Sequence, residues 1–94
     1  MGGRSNDRKL RRLGDERRRL QEERAVLVAQ LDAFVDEGEY YDIQAMVTDD
    51  LTLRREADDQ RRQREVHRKA LDSIDLRLIE IDTAINVVLE QYPR

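Results

Sequence analysis

Positions spaced alternately three and four residues apart form one frame that runs without a skip from Ile43 to Tyr92. Its a positions are Ile43, Asp50, Ala57, Arg64, Leu71, Leu78, Ile85 and Tyr92. Its d positions are Met46, Leu53, Gln60, His67, Ile74, Ile81 and Val88. A sustained heptad repeat turns one side of a long helix toward another helix, which leaves little room for other folds. The polar members collect in the middle and the apolar ones at the C-terminal end, so the two halves of this helix have different work. That pattern favours an assembly or adaptor protein over an enzyme.

Composition narrows the class further. Charged residues make up 41% of the 94 residues and aromatics 4%, too little material for a thick globular core. The apolar fraction of 38% is too high and too periodic for a disordered chain. There is no cysteine, which excludes disulfides and thiolate metal sites. Apolar runs are short, as in Ala25-Val26-Leu27-Val28-Ala29, so neither a membrane span nor a signal peptide is expected, and the chain reads as a cytoplasmic protein.

Charge alternates along the chain. Residues 1–24 hold nine basic and five acidic groups, whereas residues 25–50 hold seven acidic groups and no basic one. Residues 51–69 hold seven basic and four acidic groups, and residues 70–94 two and five. Alternation of this kind can guide which segments lie side by side.

A first helix is expected over about residues 7–37, after a disordered N-terminus at 1–6, with Ser5, Asn6 or Asp7 able to cap it. Leu10, Arg17, Arg24 and Leu31 take its a positions, and Leu13, Leu20, Leu27 and Phe34 its d positions. Asp36-Glu37-Gly38-Glu39 then offers a stop, with Gly38 able to supply a left-handed residue. A turn at 38–39 and a second helix over about 40–91 follow. So short a connection folds the helices antiparallel, giving a single hairpin domain over 7–92. A break at Thr48-Asp49-Asp50, a plausible capping sequence, is the alternative and would give three helices. A parallel dimer of the long helix is disfavoured because it stacks Asp50, Arg64 and His67 on their own copies.

With the turn at Gly38, Phe34 faces Ile43 and Leu31 faces Met46. Leu27 then faces Asp50, Arg24 faces Leu53, and Leu20 faces Ala57; Leu13 and Leu10 face Arg64 and His67. At 1.5 Å per residue the first helix is ~45 Å long and the second ~78 Å, so an overhang of roughly 30 Å begins near Ala70. That overhang carries Leu71, Ile74, Leu78, Ile81, Ile85, Val88 and Tyr92. Left in water it would be costly, so the sequence predicts that it oligomerises into a helical bundle, as a dimer or tetramer, or takes a helical partner.

Other candidate sites are weaker. His67 has no second histidine and no cysteine at a fixed spacing, so it reads as a seam residue that could make assembly sensitive to pH. The acidic turn lacks the alternating oxygen ligands of a calcium loop. No glycine-rich phosphate loop or nucleophile–base pair is present, and neither a cofactor nor enzymatic activity is expected. Arg11, Arg12, Arg18, Arg19, Arg61 and Arg62 converge at the open end of the expected hairpin and form a possible anion-binding face. Nucleic acid is a second functional possibility on that ground, although no aromatic stacking platform lies nearby. The hairpin tip, with Phe34, Tyr40, Tyr41 and Ile43, is a third candidate surface.

Gln30-Leu31 through Phe34-Val35, then Gly38, Tyr40 and Asp42-Ile43 with Met46, resembles the short Rab-binding helical hairpins of rabenosyn-type endosomal proteins. The likeness lies in an apolar repeat, a glycine turn and an aromatic-acidic-aliphatic restart, and covers about 20 residues. It implies a turn at Gly38 and a tip that binds a small GTPase. The long second helix departs from that family's pattern.

Overall fold

The computed structural model describes residues 2–92 and contains two helices, α1 (Gly2–Val47) and α2 (Leu51–Glu90). They pack antiparallel as an all-α helical hairpin. The turn is Thr48-Asp49-Asp50, and its side chains explain why the chain reverses there. Thr48 donates its hydroxyl to the Gln44 carbonyl at 2.9 Å, closing α1. Asp50 caps α2: its Oδ1 accepts the Thr52 N–H at 2.8 Å and its carbonyl accepts the Arg54 N–H at 3.2 Å. Such a cap is worth ~1 kcal/mol. Arg54 also reaches back to Asp49 at 3.2 Å.

The turn expected at 38–39 is not made. Gly38 lies inside α1 with no positive φ, and it is buried. The first-helix frame continues through it, with Gly38 and Ala45 at a and Tyr41 and Thr48 at d. Holding a glycine in a helix costs ~1 kcal/mol, less than the burial gained by moving the turn to 48–50. The helices have 46 and 40 residues, so α2 is the shorter of the two and the expected overhang of the second helix is not formed. Residues 2–6, expected to be disordered, extend α1; Met1 lies outside the described residues. At the other end α2 tightens into bonds from Gln91 N–H to Val88 O and Tyr92 N–H to Leu89 O, while Pro93, the expected helix stop, lies outside the described residues.

Two compact units divide the hairpin. In the first, α1 up to Arg24 lies beside α2 from Ser73. Arg17 Nε meets Asp82 at 2.9 Å and Arg24 Nε meets Asp75 at 2.6 Å, one heptad apart on each helix. These pairs set the register: Leu10 stands level with Val88, Leu13 with Ile85 and Leu20 with Leu78. Arg17 and Arg24 stand level with Ile81 and Ile74, so their stems cover apolar seam while the guanidinium groups reach carboxylates at the edge. Ile81 is 0% exposed and Val88 is buried beside it in the frame.

In the second unit, Ala25–Asp72, Leu27, Leu31 and Leu71 are half-buried at one end of the inner face, and Tyr41, Ala45, Leu53 and Ala57 are half-buried or buried at the other. Between them lies a polar stretch. The Phe34 and His67 rings sit 4.8 Å apart, and the Arg64 guanidinium crosses the face of Gly38. A Cβ on Gly38 would stand 2.9 Å from Arg64 Cζ, so the missing side chain is what lets Arg64 lie there. Asp42 receives Arg61 at 2.9 Å and Arg64 at 3.9 Å.

The α2 frame holds from Leu53 onward, where all of its a and d residues are buried or half-buried. Ile43 and Met46 do not belong to it; both are exposed on α1. By the register of the ion pairs Leu20 stands level with Leu78 instead of Ala57, a displacement of three heptads along α2. The observed register places the apolar C-terminal half of α2 under the leucines of α1, where the expected one left it bare.

Candidate partner interface

The residues expected to form an oligomer interface, Leu71, Ile74, Leu78, Ile81, Ile85, Val88 and Tyr92, all lie in the intramolecular seam as buried or half-buried side chains. The edges of that seam in the first unit are charged. Arg77 grips Glu16 with two bonds, Nε to Oε1 at 2.8 Å and Nη2 to Oε2 at 3.0 Å, and reaches Glu80 at 3.0 Å. The Arg77 hydrogen bond lowers the Glu16 pKa below the ordinary 4.5, against a smaller opposing effect of burial. Hydrogen bonds to Glu16 and Glu80 raise that of Arg77, and the bond to Asp75 raises that of Arg24. Tyr92 donates its hydroxyl to Asp7, which raises its pKa above the ordinary 10.0.

The basic residues are divided between the two units. Arg61 and Arg62 belong to the second unit and are held by Asp42, Asp58 and Asp59. Arg11, Arg12, Arg18 and Arg19 belong to the first unit and are exposed on the outer side of α1. With Arg8 they form a basic strip in which only Arg18 has an ion-pair partner among the described residues, Asp15 at 4.0 Å. Arg8, Arg11, Arg12 and Arg19 line one surface depression with Asp15 and Glu16.

The residues expected at the hairpin tip separate as well. Phe34 and Tyr41 occupy inner d positions and are half-buried, whereas Tyr40 and Ile43 face outward. The reason is the continuous helix through Gly38: without a turn there is no tip at that place. His67 packs on Phe34 and donates its Nδ1–H to the Gln63 carbonyl at 2.8 Å. Gln60 Oε1 is buried without a hydrogen-bond partner.

The unbroken α1 exposes a surface that the expected turn concealed. Val26, Ala29, Ala33, Asp36, Tyr40, Ile43 and Val47 repeat at alternating intervals of three and four, on the c and f positions of the α1 frame. Only Asp36 among them is polar. All seven are exposed, and the four large apolar members range from 56% at Val26 to 71% at Val47. Met46 and Leu51 add apolar surface near the turn. This second seam becomes continuous in the sequence once the first-helix frame runs past Gly38.

Among the described residues no helix is long and apolar enough to cross a membrane, and no group of His, Cys, Asp and Glu is placed to hold a metal ion. Comparison with protein families, characterised proteins and solved structures finds no match to this chain.

Proposed function

We propose that this chain is a non-enzymatic adaptor that takes a partner helix on the outer face of α1 between Val26 and Val47. The observation that carries this reading is the exposed second seam, because an apolar stripe at three-four spacing is how one helix offers itself to another. Four large apolar side chains that are still more than half exposed supply on the order of 4–8 kcal/mol of gross burial energy, before ordering costs. That range is compatible with a binding partner of modest affinity and not with a permanent obligate assembly.

A selection of displayed amphipathic helices against the intact chain tests it. Enriched binders are expected to lose affinity for the double variant Ile43→Ser, Val47→Ser and to keep it for Leu76→Ser, Ile79→Ser, whose side chains face outward on α2. No enrichment, or binders indifferent to the α1 substitutions, would remove the adaptor reading.

The basic strip of the first unit supports a second reading, duplex nucleic acid held through its phosphates. Arg8, Arg11, Arg12 and Arg19 have no ion-pair partner among the described residues, unlike Arg17, Arg24 and Arg77. Each phosphate contact contributes about −0.9 to the slope of log affinity against log salt. Anisotropy of a labelled duplex should then show a slope that shrinks on Arg11→Gln, Arg12→Gln; no binding at low salt ends this reading.

A further inference from the structure

We infer that the occupant of the α1 outer face is a helix whose flanks are basic, and not a second copy of this chain; this rests on the adaptor reading above. In paired helices the residues on either side of the apolar seam choose the partner by charge. Beside the Val26–Val47 stripe those positions are Asp32, Glu39 and Met46 on one side and Gln30, Glu37 and Gln44 on the other, with Asp36 inside the stripe. Asp32, Asp36, Glu37 and Glu39 are exposed. None of the four has an ion-pair partner among the described residues, whereas Asp42, next on the chain but turned inward, holds both Arg61 and Arg64. The inward carboxylate of this segment is neutralised by the hairpin, and the outward ones are left for something else.

The same charges argue against self-pairing. Residues 25–50 contain seven acidic groups and no basic one. Laying residues 26–47 face to face on the same residues of a second copy, parallel or antiparallel, therefore creates no opposite-charge pair and several like-charge ones. A complementary helix carries large aliphatic residues at three-four spacing over about three heptads, Lys or Arg on both flanks, and a basic residue facing Asp36. Desolvating Asp36 against an apolar side chain would be costly, so that last feature separates a fitting partner from a merely sticky one.

Two synthetic helical peptides probe this directly, both with leucine at three-four spacing over three heptads and one lysine opposite Asp36. One has lysine at all flanking positions and the other glutamate. Binding to the intact chain is measured by anisotropy, alongside the variant Tyr40→Ser, Ile43→Ser, Val47→Ser, with circular dichroism to confirm that the helices remain. The lysine peptide should bind at least tenfold more tightly than the glutamate peptide, weaken with added salt, and lose at least tenfold on the serine variant. Equal binding of the two peptides, both sensitive to the serine substitutions, overturns the basic-flank inference and leaves the adaptor reading standing. Lysine-peptide binding that ignores the serine substitutions, or no binding by either peptide, overturns both. A doubled mass of the intact chain in light scattering that the serine variant abolishes makes a second copy the occupant and overturns the inference.

Discussion

Ile81→Ala tests the register more sharply than any other single change. Ile81 is 0% exposed and stands level with Arg17, whose guanidinium bonds Asp82 at 2.9 Å beside it. Truncation of a buried isoleucine to alanine costs about 2–5 kcal/mol, depending on how far the surroundings can close the gap. A seam walled by only two helices closes more readily than a thick core, which puts the expected cost near 2–3 kcal/mol. For a chain of this size that corresponds to a fall in Tm of roughly 10–20 °C. Ile79→Ala is the control: two positions away and 63% exposed, it should change stability by no more than about 0.5 kcal/mol. Thermal melts followed by far-ultraviolet circular dichroism separate the two variants. The Ile81 loss should be the same at high and low protein concentration, since the wall it packs on belongs to its own chain; a subunit seam would make Tm concentration-dependent. If Ile81→Ala melts within a few degrees of the parent, or costs no more than Ile79→Ala, α1 does not cover that part of α2.

Other changes follow from the same geometry. A Cβ at Gly14 meets nothing within 4 Å, so Gly14→Ala should stabilise by ~1 kcal/mol in denaturant melts. Gly38→Ala has the same propensity gain but must push the Arg64 guanidinium away, so its net effect should be smaller than that of Gly14→Ala. Gln60→Leu removes the unpartnered Oε1 from the seam and should raise stability by about 1–2 kcal/mol, read as an upward shift in Tm. The lowered pKa of Glu16 means its bond to Arg77 contributes above the ordinary value of 4.5 and is lost as pH falls through the folded pKa; melts between neutral and strongly acidic pH should show it, and less so in Glu16→Gln. Tyr92 has the opposite sign: its raised pKa means the bond to Asp7 contributes below 10.0 and is lost as pH rises through the folded value, a step that Tyr92→Phe should abolish.

Both inner heptad frames and the antiparallel hairpin were legible in the residues alone; the register was not. Antiparallel pairing requires only that a positions face d positions, and that condition is met again after every seven-residue shift. The pairing of Leu20 with Ala57 and that of Leu20 with Leu78 satisfy it equally. What decides is where the chain turns, and two signals competed for that. Gly38 looks like a helix stop because glycine so often supplies a left-handed residue, but it also suits a seam position where a bulky neighbour must cross the backbone. Arg64 is that neighbour. Thr48-Asp49-Asp50 carries the side-chain bonds that end one helix and start the next. Burial breaks the tie, since the register set by the later turn covers Ile81 and Val88 and the earlier one exposes them. The same competition hides the α1 outer stripe in the sequence, because a turn at Gly38 cuts it in two.

The two units should differ in how firmly they hold together, and that difference bears on function. In the first, leucine, isoleucine and valine meet across the seam, and the fully buried Ile81 and the buried Val88 lie there. In the second, the inner face presents Gly38, Gln60, Arg64 and His67, while α1 carries Val26, Tyr40, Ile43 and Val47 on its outer side. Over this stretch α1 is about as apolar outside as inside, which is unfavourable for a free hairpin and suitable for a helix that awaits a second neighbour. Local opening free energy tracks buried apolar contact, so backbone amides of residues 27–45 and 53–70 should exchange hydrogen faster than those of 10–24 and 74–88. A partner helix on the outer stripe binds only the folded segment, and by linkage it should slow exchange in the second unit and leave the first nearly unchanged. Hydrogen-exchange mass spectrometry with and without the lysine-flanked peptide reads both effects. Uniform protection along the free chain would mean that the polar layers are as stable as the leucine ones, and the outer stripe would then have to be explained without a loosely held segment waiting to be completed.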